Sequence, residues 1–179
     1  MSLHPNSYQT DEQLRDGQAV VIRAIRPDDK ERIKTAFAGL EAETIYTRLF
    51  THKDELTGDD LKRLTEIDFE SEVGLVVTCG TGTDEAIIGS GRYFAFDGAD
   101  GRRLAEVAVV VEEDYQGQGM ARMILRHLAS IARSQGIACF EAEVLPVNKA
   151  MLRVFARSGL PMKQAPDGDV IHVRLSLGA

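Results

Sequence analysis

Apolar positions along the chain change their period several times, and those changes mark out its elements. Residues 1–18 (MSLHPNSYQTDEQLRDGQ) lack periodicity and read as a tail or loosely packed lead-in, after which Ala19 to Arg23 reads as a first strand. Arg26-Pro27-Asp28-Asp29 supplies a turn and a helix start, and apolar residues then recur helically at Ile33, Ala36, Phe37 and Leu40. Glu43 to Phe50 continues as helix, and Thr57-Gly58-Asp59-Asp60 caps a segment carrying Leu61, Leu64 and Ile67. After Phe69 the period shortens. Val73 to Cys79, Ala86 to Phe96 and Arg103 to Glu112 are β runs separated by turn-rich connections. Gly119 to Gln135 has the clearest helical pattern: Ala121, Ile124, Leu125, Leu128, Ile131 and Ala132 share a face, with Arg122, Arg126 and Arg133 off it and Gly136 placed to end it. Ile137 to Leu145 (strand), Val147 to Ser158 (helix) and Asp169 to Leu177 (strand) complete the chain. The order β-α-α-β-β-β-α-β-α-β predicts an α/β (α+β) fold, a mixed and mainly antiparallel central sheet flanked by helices, with one helical crossover in its C-terminal half.

A length of 179 residues suits one domain, expected over residues 19–179 behind the lead-in 1–18. The composition, 44% apolar and 27% charged, is that of a folded globular chain. No apolar run approaches the ~18 residues of a membrane span and the N-terminus lacks a signal-peptide core, so a cytoplasmic protein without a membrane partner is expected. A net charge of −7 argues against general nucleic-acid binding. Cys79 and Cys139 read as reduced core thiols; His52 and His172 show no ligand spacing, so no metal is expected, and His127 reads as a solvated residue among arginines. Monomer and homodimer are left open.

The chemically specific segment is Glu112-Glu113-Asp114-Tyr115-Gln116-Gly117-Gln118-Gly119-Met120-Ala121, between a buried strand and the long helix. Small residues let the backbone turn sharply and let a ligand approach the main chain, while the helix start offers unpaired N–H groups and a partial positive charge. That combination suits a diphosphate; the same spacing also serves a plain strand-to-helix turn. No Gly-Lys-Ser/Thr follows, and Arg122 stands where a dinucleotide fingerprint needs glycine, so neither a kinase nor a dehydrogenase is expected.

Gln116-Gly117-Gln118-Gly119-Met120-Ala121, leaving a strand that ends in Val109-Val110-Val111, resembles the Arg/Gln-x-x-Gly-x-Gly/Ala signature of the GCN5-related N-acetyltransferases, the GNAT superfamily. The resemblance runs from about Val21 to Leu177 and includes Asn148 and Gly159-Leu160. Ile25 to Asp29, Glu43 to Phe50, Leu64 to Phe69, Ala105 to Val109 and Glu143 to Leu145 resemble the acetyltransferase domain of bacterial Pat-type protein lysine acetyltransferases. The resemblance implies acetyl-CoA as donor and direct transfer to an amine, in this subgroup a protein lysine. It further implies that the backbone of Gln116, Gly117, Gln118, Gly119, Met120 and Ala121 holds the pyrophosphate. Main-chain groups around Val109, Val110 and Val111 would pair with the pantetheine arm, and Asn148 would hydrogen-bond it. Glu106, which interrupts an apolar strand and matches the Pat family's Ala-Glu position, is the candidate general base; the bland alternative is an ordinary surface glutamate. Glu143 is the second choice. Where many relatives place a tyrosine as general acid, this chain has Phe155. A small-amine acceptor, such as a polyamine or amino-sugar, and a non-catalytic acyl-CoA sensor are the competing functions.

Overall fold

A computed structural model describes residues 4–38 and 56–178. Eight strands form one sheet: β1 (Gln9–Gln13), β2 (Ala19–Ala24), β3 (Glu72–Cys79), β4 (Ala86–Asp97), β5 (Arg103–Val111), β6 (Cys139–Val144), β7 (Met162–Asp167) and β8 (Val170–Ser176). They lie in the order β1-β2-β3-β4-β5-β6-β8-β7. Every pairing is antiparallel except β5 with β6, whose crossover contains the long helix, as the sequence predicts. The helices among the described residues are α1 (Lys30–Ala38), α2 (Gly58–Thr65), α3 (Met120–Ser134) and α4 (Lys149–Ala156). The helical stretch expected over Glu43 to Phe50 lies outside the described residues.

Residues 4–18 are not the loose lead-in the sequence suggests. Gln9–Gln13 pairs with β2 along its whole length, from Gln9 opposite Arg23 to Gln13 opposite Ala19. Its side chains alternate between exposed and half-buried, so backbone hydrogen bonds rather than an apolar face hold it, and periodicity could not reveal it. β7, another strand the pattern missed, is at the opposite edge of the sheet; polar side chains and a proline, Pro166, suit an edge.

The main core lies between one sheet face and α3 and α4, with Ile22, Leu75, Tyr93, Val107, Ile124, Leu128, Phe140 and Phe155 essentially buried. On the other face α1 covers Ile25, Val76 and Ile87 with Ile33 and Ala36. α3 sits unusually close to the sheet because Gly89 and Gly91 on β4 have no side chains: a Cβ on Gly91 would stand 2.3 Å from Ile124 Cγ2, and one on Gly89 2.5 Å from Met120 Sδ. The helix ends at Gly136 (φ 76°), where Gly136 N donates to Arg133 O and Ile137 N to Ala132 O, satisfying its last carbonyls.

Candidate active site

The site arises where two strands part. β5 is paired with β4 throughout, but with β6 only at Leu104 to Glu106 against Cys139 to Glu141. Beyond that fork a cleft of about 440 Å³ opens, bordered by Val109, Val110 and Val111 on one side and by the start of α4 on the other. Two hydrogen bonds determine which main-chain groups face it. Ala138 N donates to Arg103 O at 2.8 Å on the β6 side, and Glu112 N donates to Ile88 O at 2.9 Å on the β4 side. The register between them is continuous and strand groups alternate, so beyond the fork the N–H and C=O groups of Val109 and Val111 face the open edge. Gln116 Nε2 already donates to Val111 O at 3.3 Å.

The loop after β5 closes one end of the cleft. Gly117 and Gly119 have φ of 82° and 81°, conformations open to glycine, and Gly119 caps α3 without a side chain. The first-turn N–H groups of α3 therefore have no intrahelical acceptor and carry the positive end of the helix dipole. Four arginines, Arg15, Arg122, Arg153 and Arg157, line the cleft, and no carboxylate is among its described lining residues. In a chain of charge −7 this segregation makes a cationic pocket for an elongated anion.

Of the residues expected to bind the donor, Val109, Val110, Val111, Gln116, Gly117, Gly119, Met120, Ala121 and Asn148 all line the cleft. Gln118 does not. Its carbonyl accepts from Arg15 N at 3.3 Å and its Oε1 from Asp16 N at 3.2 Å, so it faces the N-terminal segment. Asn148 is the N-cap of α4, its Oδ1 accepting from Met151 N at 3.2 Å, which leaves its amide N–H groups for a ligand. Tyr115 lines the same end, with its hydroxyl 3.9 Å from Cys79 Sγ; the thiol contact, then burial, push its phenol above the ordinary value.

Glu106 stands at the fork, the last β5 residue paired with β6, opposite Glu141. Its side chain lies on the sheet face away from the α3 core, exposed, and makes no hydrogen bond or ion pair with a described residue. The burial expected of a general base is thus absent without an acceptor in place. Glu141, which the sequence reading did not single out, is held by Arg174, Nε at 3.1 Å and Nη2 at 2.5 Å from Oε1. Glu143 is two residues further along, beyond the fork; its carboxylate, that of Asp167 and the His172 ring come within 4.8 Å of one another, so His172 does have ligand-spaced neighbours, contrary to expectation. Phe155 is fully buried in the core and does not line the cleft.

A further expectation is corrected. His127 is buried rather than solvated, with Nδ1 at 2.5 Å from the Tyr8 hydroxyl and Nε2 at 2.7 Å from Glu12 Oε1. Arg126 pairs with the same Glu12 carboxylate and does not border the cleft, whereas Arg122 does.

An open strand edge runs from a cationic strand-to-helix loop toward a fork bearing carboxylates, an arrangement suited to an elongated anionic ligand. The acetyltransferase (GNAT) family model matches residues 40–160, and the chain belongs to that family, whose members take their acyl group from acetyl-CoA. The chain is 30% identical over 168 residues to acetyltransferase PA5475 of Pseudomonas aeruginosa, covering 93% of this chain and 88% of that protein. It is 32% identical over 147 residues to acetyltransferase Pat of Mycolicibacterium smegmatis, covering 82% of this chain but only 43% of that protein, so this chain spans less than half of that relative's length. The GNAT domain of S. lividans PAT superposes with a TM-score of 0.84 at 35% identity, covering 94% of this chain and 96% of that one.

Proposed function

We propose that this chain transfers the acetyl group of acetyl-CoA directly to a protein lysine side chain, with Glu106 as general base. The observation that carries the proposal is the arginine-lined cleft along the parted edge of β5; its lining ends at Val109, and Glu106, at the fork three residues earlier on the same strand, is not part of it. Acetyl-CoA fits it in kind: a doubly phosphorylated head for the α3 N-terminus and the arginines, and an amide-bearing arm for the outward groups of Val109 and Val111. The likeness to Pat-type domains supports lysine as the acceptor.

A lysine ammonium has a pKa near ~10.4 in water, so it must lose a proton before its nitrogen attacks the thioester carbon. The Glu106 carboxylate has no competing described partner and can take that proton, directly or through water. A free β5 amide facing the carbonyl oxygen stabilises the negative charge that develops there. Collapse breaks the C–S bond and expels CoA as thiolate, a leaving group that tolerates the lack of a neighbouring acid; buried Phe155 supplies none.

The test is Glu106→Gln, which keeps shape and removes basicity. Acetyl-CoA affinity by calorimetry should stay nearly unchanged while turnover at neutral pH falls about 10²-fold or more. An unchanged rate removes Glu106 from the mechanism. Mass spectrometry of acetyl transfer to protein substrates, against a panel of polyamines and amino-sugars, decides the acceptor; transfer confined to the small amines refutes lysine.

A further inference from the structure

The N-terminal hairpin lies outside the part of the chain that the family model matches, yet its turn reaches the donor cleft. Leu14, buried in the main core, anchors the turn between β1 and β2. Leu14 N donates to Gln18 O, Gly17 N to Leu14 O, and Gln18 N to Asp16 Oδ1, each at 2.9 Å, with Gly17 at φ 92°. Upstream, β1 is latched to α3: Glu12 accepts from Arg126 and bonds His127, whose other nitrogen meets the Tyr8 hydroxyl. Arg15 projects from this fixed turn onto the glycine loop. Its N–H donates to Gln118 O, its Nη1 donates to Gly117 O at 3.2 Å, and its Nε stands 3.2 Å from where a Cβ on Gly119 would be.

A guanidinium presents five N–H donors in a planar fork. Only Nη1 is engaged with a described residue, no carboxylate among the described residues neutralises the group, and the side chain lines the cleft directly beside the glycine that caps α3. We propose that Arg15 is a phosphate-binding residue of the donor site, holding the loop through Gly117 O while its remaining N–H groups grip the CoA pyrophosphate. The hairpin turn is then a third wall of the phosphate pocket, beside the loop and the α3 N-terminus. This inference rests on the acetyl-CoA reading above and adds a recognition element to it.

The experiment measures dissociation constants and kcat/KM of the full chain, wild type and Arg15→Ala, for acetyl-CoA, acetyl-dephospho-CoA and S-acetylpantetheine. A charge-assisted contact predicts that Arg15→Ala weakens acetyl-CoA and acetyl-dephospho-CoA equally, by about 10-fold or more, with the loss shrinking as salt rises. With S-acetylpantetheine, which has no phosphate, the ratio of wild type to variant should fall below about twofold. A penalty that vanishes with acetyl-dephospho-CoA assigns Arg15 to the 3′-phosphate and overturns the proposal, as does one that persists undiminished with S-acetylpantetheine. Arg15→Lys should recover much of the loss and Arg15→Gln little; the reverse order means that the side chain only braces Gly117, and it too overturns the proposal. If wild-type protein binds none of the three thioesters, the donor reading itself fails, which is distinguishable from an intact donor site indifferent to residue 15.

Discussion

The seat of α3 on β4 decides where the helix N-terminus, and with it the proposed phosphate site, is placed. Replacing Gly91 by alanine tests that seat. The added methyl carbon would stand 2.3 Å from Ile124 Cγ2 and 2.9 Å from Leu128 Cδ1, where carbon atoms prefer about 3.5–4.0 Å. Ile124 must therefore retreat by at least about 1.2 Å, yet it is fully buried and β-branched, with little rotamer freedom to do so. Overpacking of this kind costs about 1–3 kcal/mol. In a chain of this size each kcal/mol lowers the melting temperature by about 2–4 °C, so Gly91→Ala should melt roughly 2–12 °C below wild type. Gly58→Ala provides the contrast: that glycine opens α2 with no heavy atom within 4 Å of a Cβ and no positive φ, so alanine there should be neutral or stabilising by up to about 1 kcal/mol. A retreat of Ile124 that carries α3 with it displaces the helix N-terminus, so Gly91→Ala should also raise the KM for acetyl-CoA. Differential scanning calorimetry of both variants reads the signs directly. A Gly91→Ala protein melting at or above wild type would refute direct seating of α3 on the β4 backbone.

Asp29 is fully buried and bidentate with Arg23, Oδ1 at 2.8 Å and Oδ2 at 2.9 Å, and also accepts from Arg26 N and Arg32. Asp29→Ala leaves buried Arg23 with Glu85 alone, at 2.9 Å, and should cost about 1–3 kcal/mol in urea unfolding, with no measurable loss contradicting the assignment. Burial pushes the Asp29 and Glu85 carboxyls up, but Arg23 foremost pulls both below their ordinary values; at Asp68 the Ser71 hydroxyl and three backbone N–H groups overcome desolvation and bring the value to about 2. Carboxyls depressed by folding stabilise fully above their unfolded values, about 3.9–4.3, and lose that contribution as pH falls through the folded values. The melting temperature should accordingly fall between about pH 4 and 2, less steeply in Asp29→Ala; a flat profile across that window would contradict the shifts.

What the sequence disclosed, and what it hid, divides along one physical line. Side chains that pack leave a period. Ile124, Leu128 and Ile131 announce α3, and the apolar runs of β3, β4 and β5 announce the centre of the sheet. The glycine loop was legible because a positive φ and an uncapped helix start restrict residue type at Gly117 and Gly119. Backbone pairing leaves no such trace. β1 and β7 are held at the edges by main-chain bonds under polar side chains, and the parting of β5 from β6 is a matter of which strand groups lack partners. Glu106 could be singled out as a charge interrupting an apolar strand, but not its place at the fork opposite Glu141, because that pairing joins strands more than thirty residues apart. His127 looked solvated because its partners, Tyr8 and Glu12, come from a segment without periodicity, and Arg15 was overlooked for the same reason. Both belong to one hairpin. A hairpin that the pattern of apolar residues passes over is latched to α3 through His127 and Arg126, and the same hairpin sets Arg15 against the glycine loop. Polar edge structure therefore forms part of the wall of the arginine-lined cleft, while the periodic core supplies the frame it is fixed to.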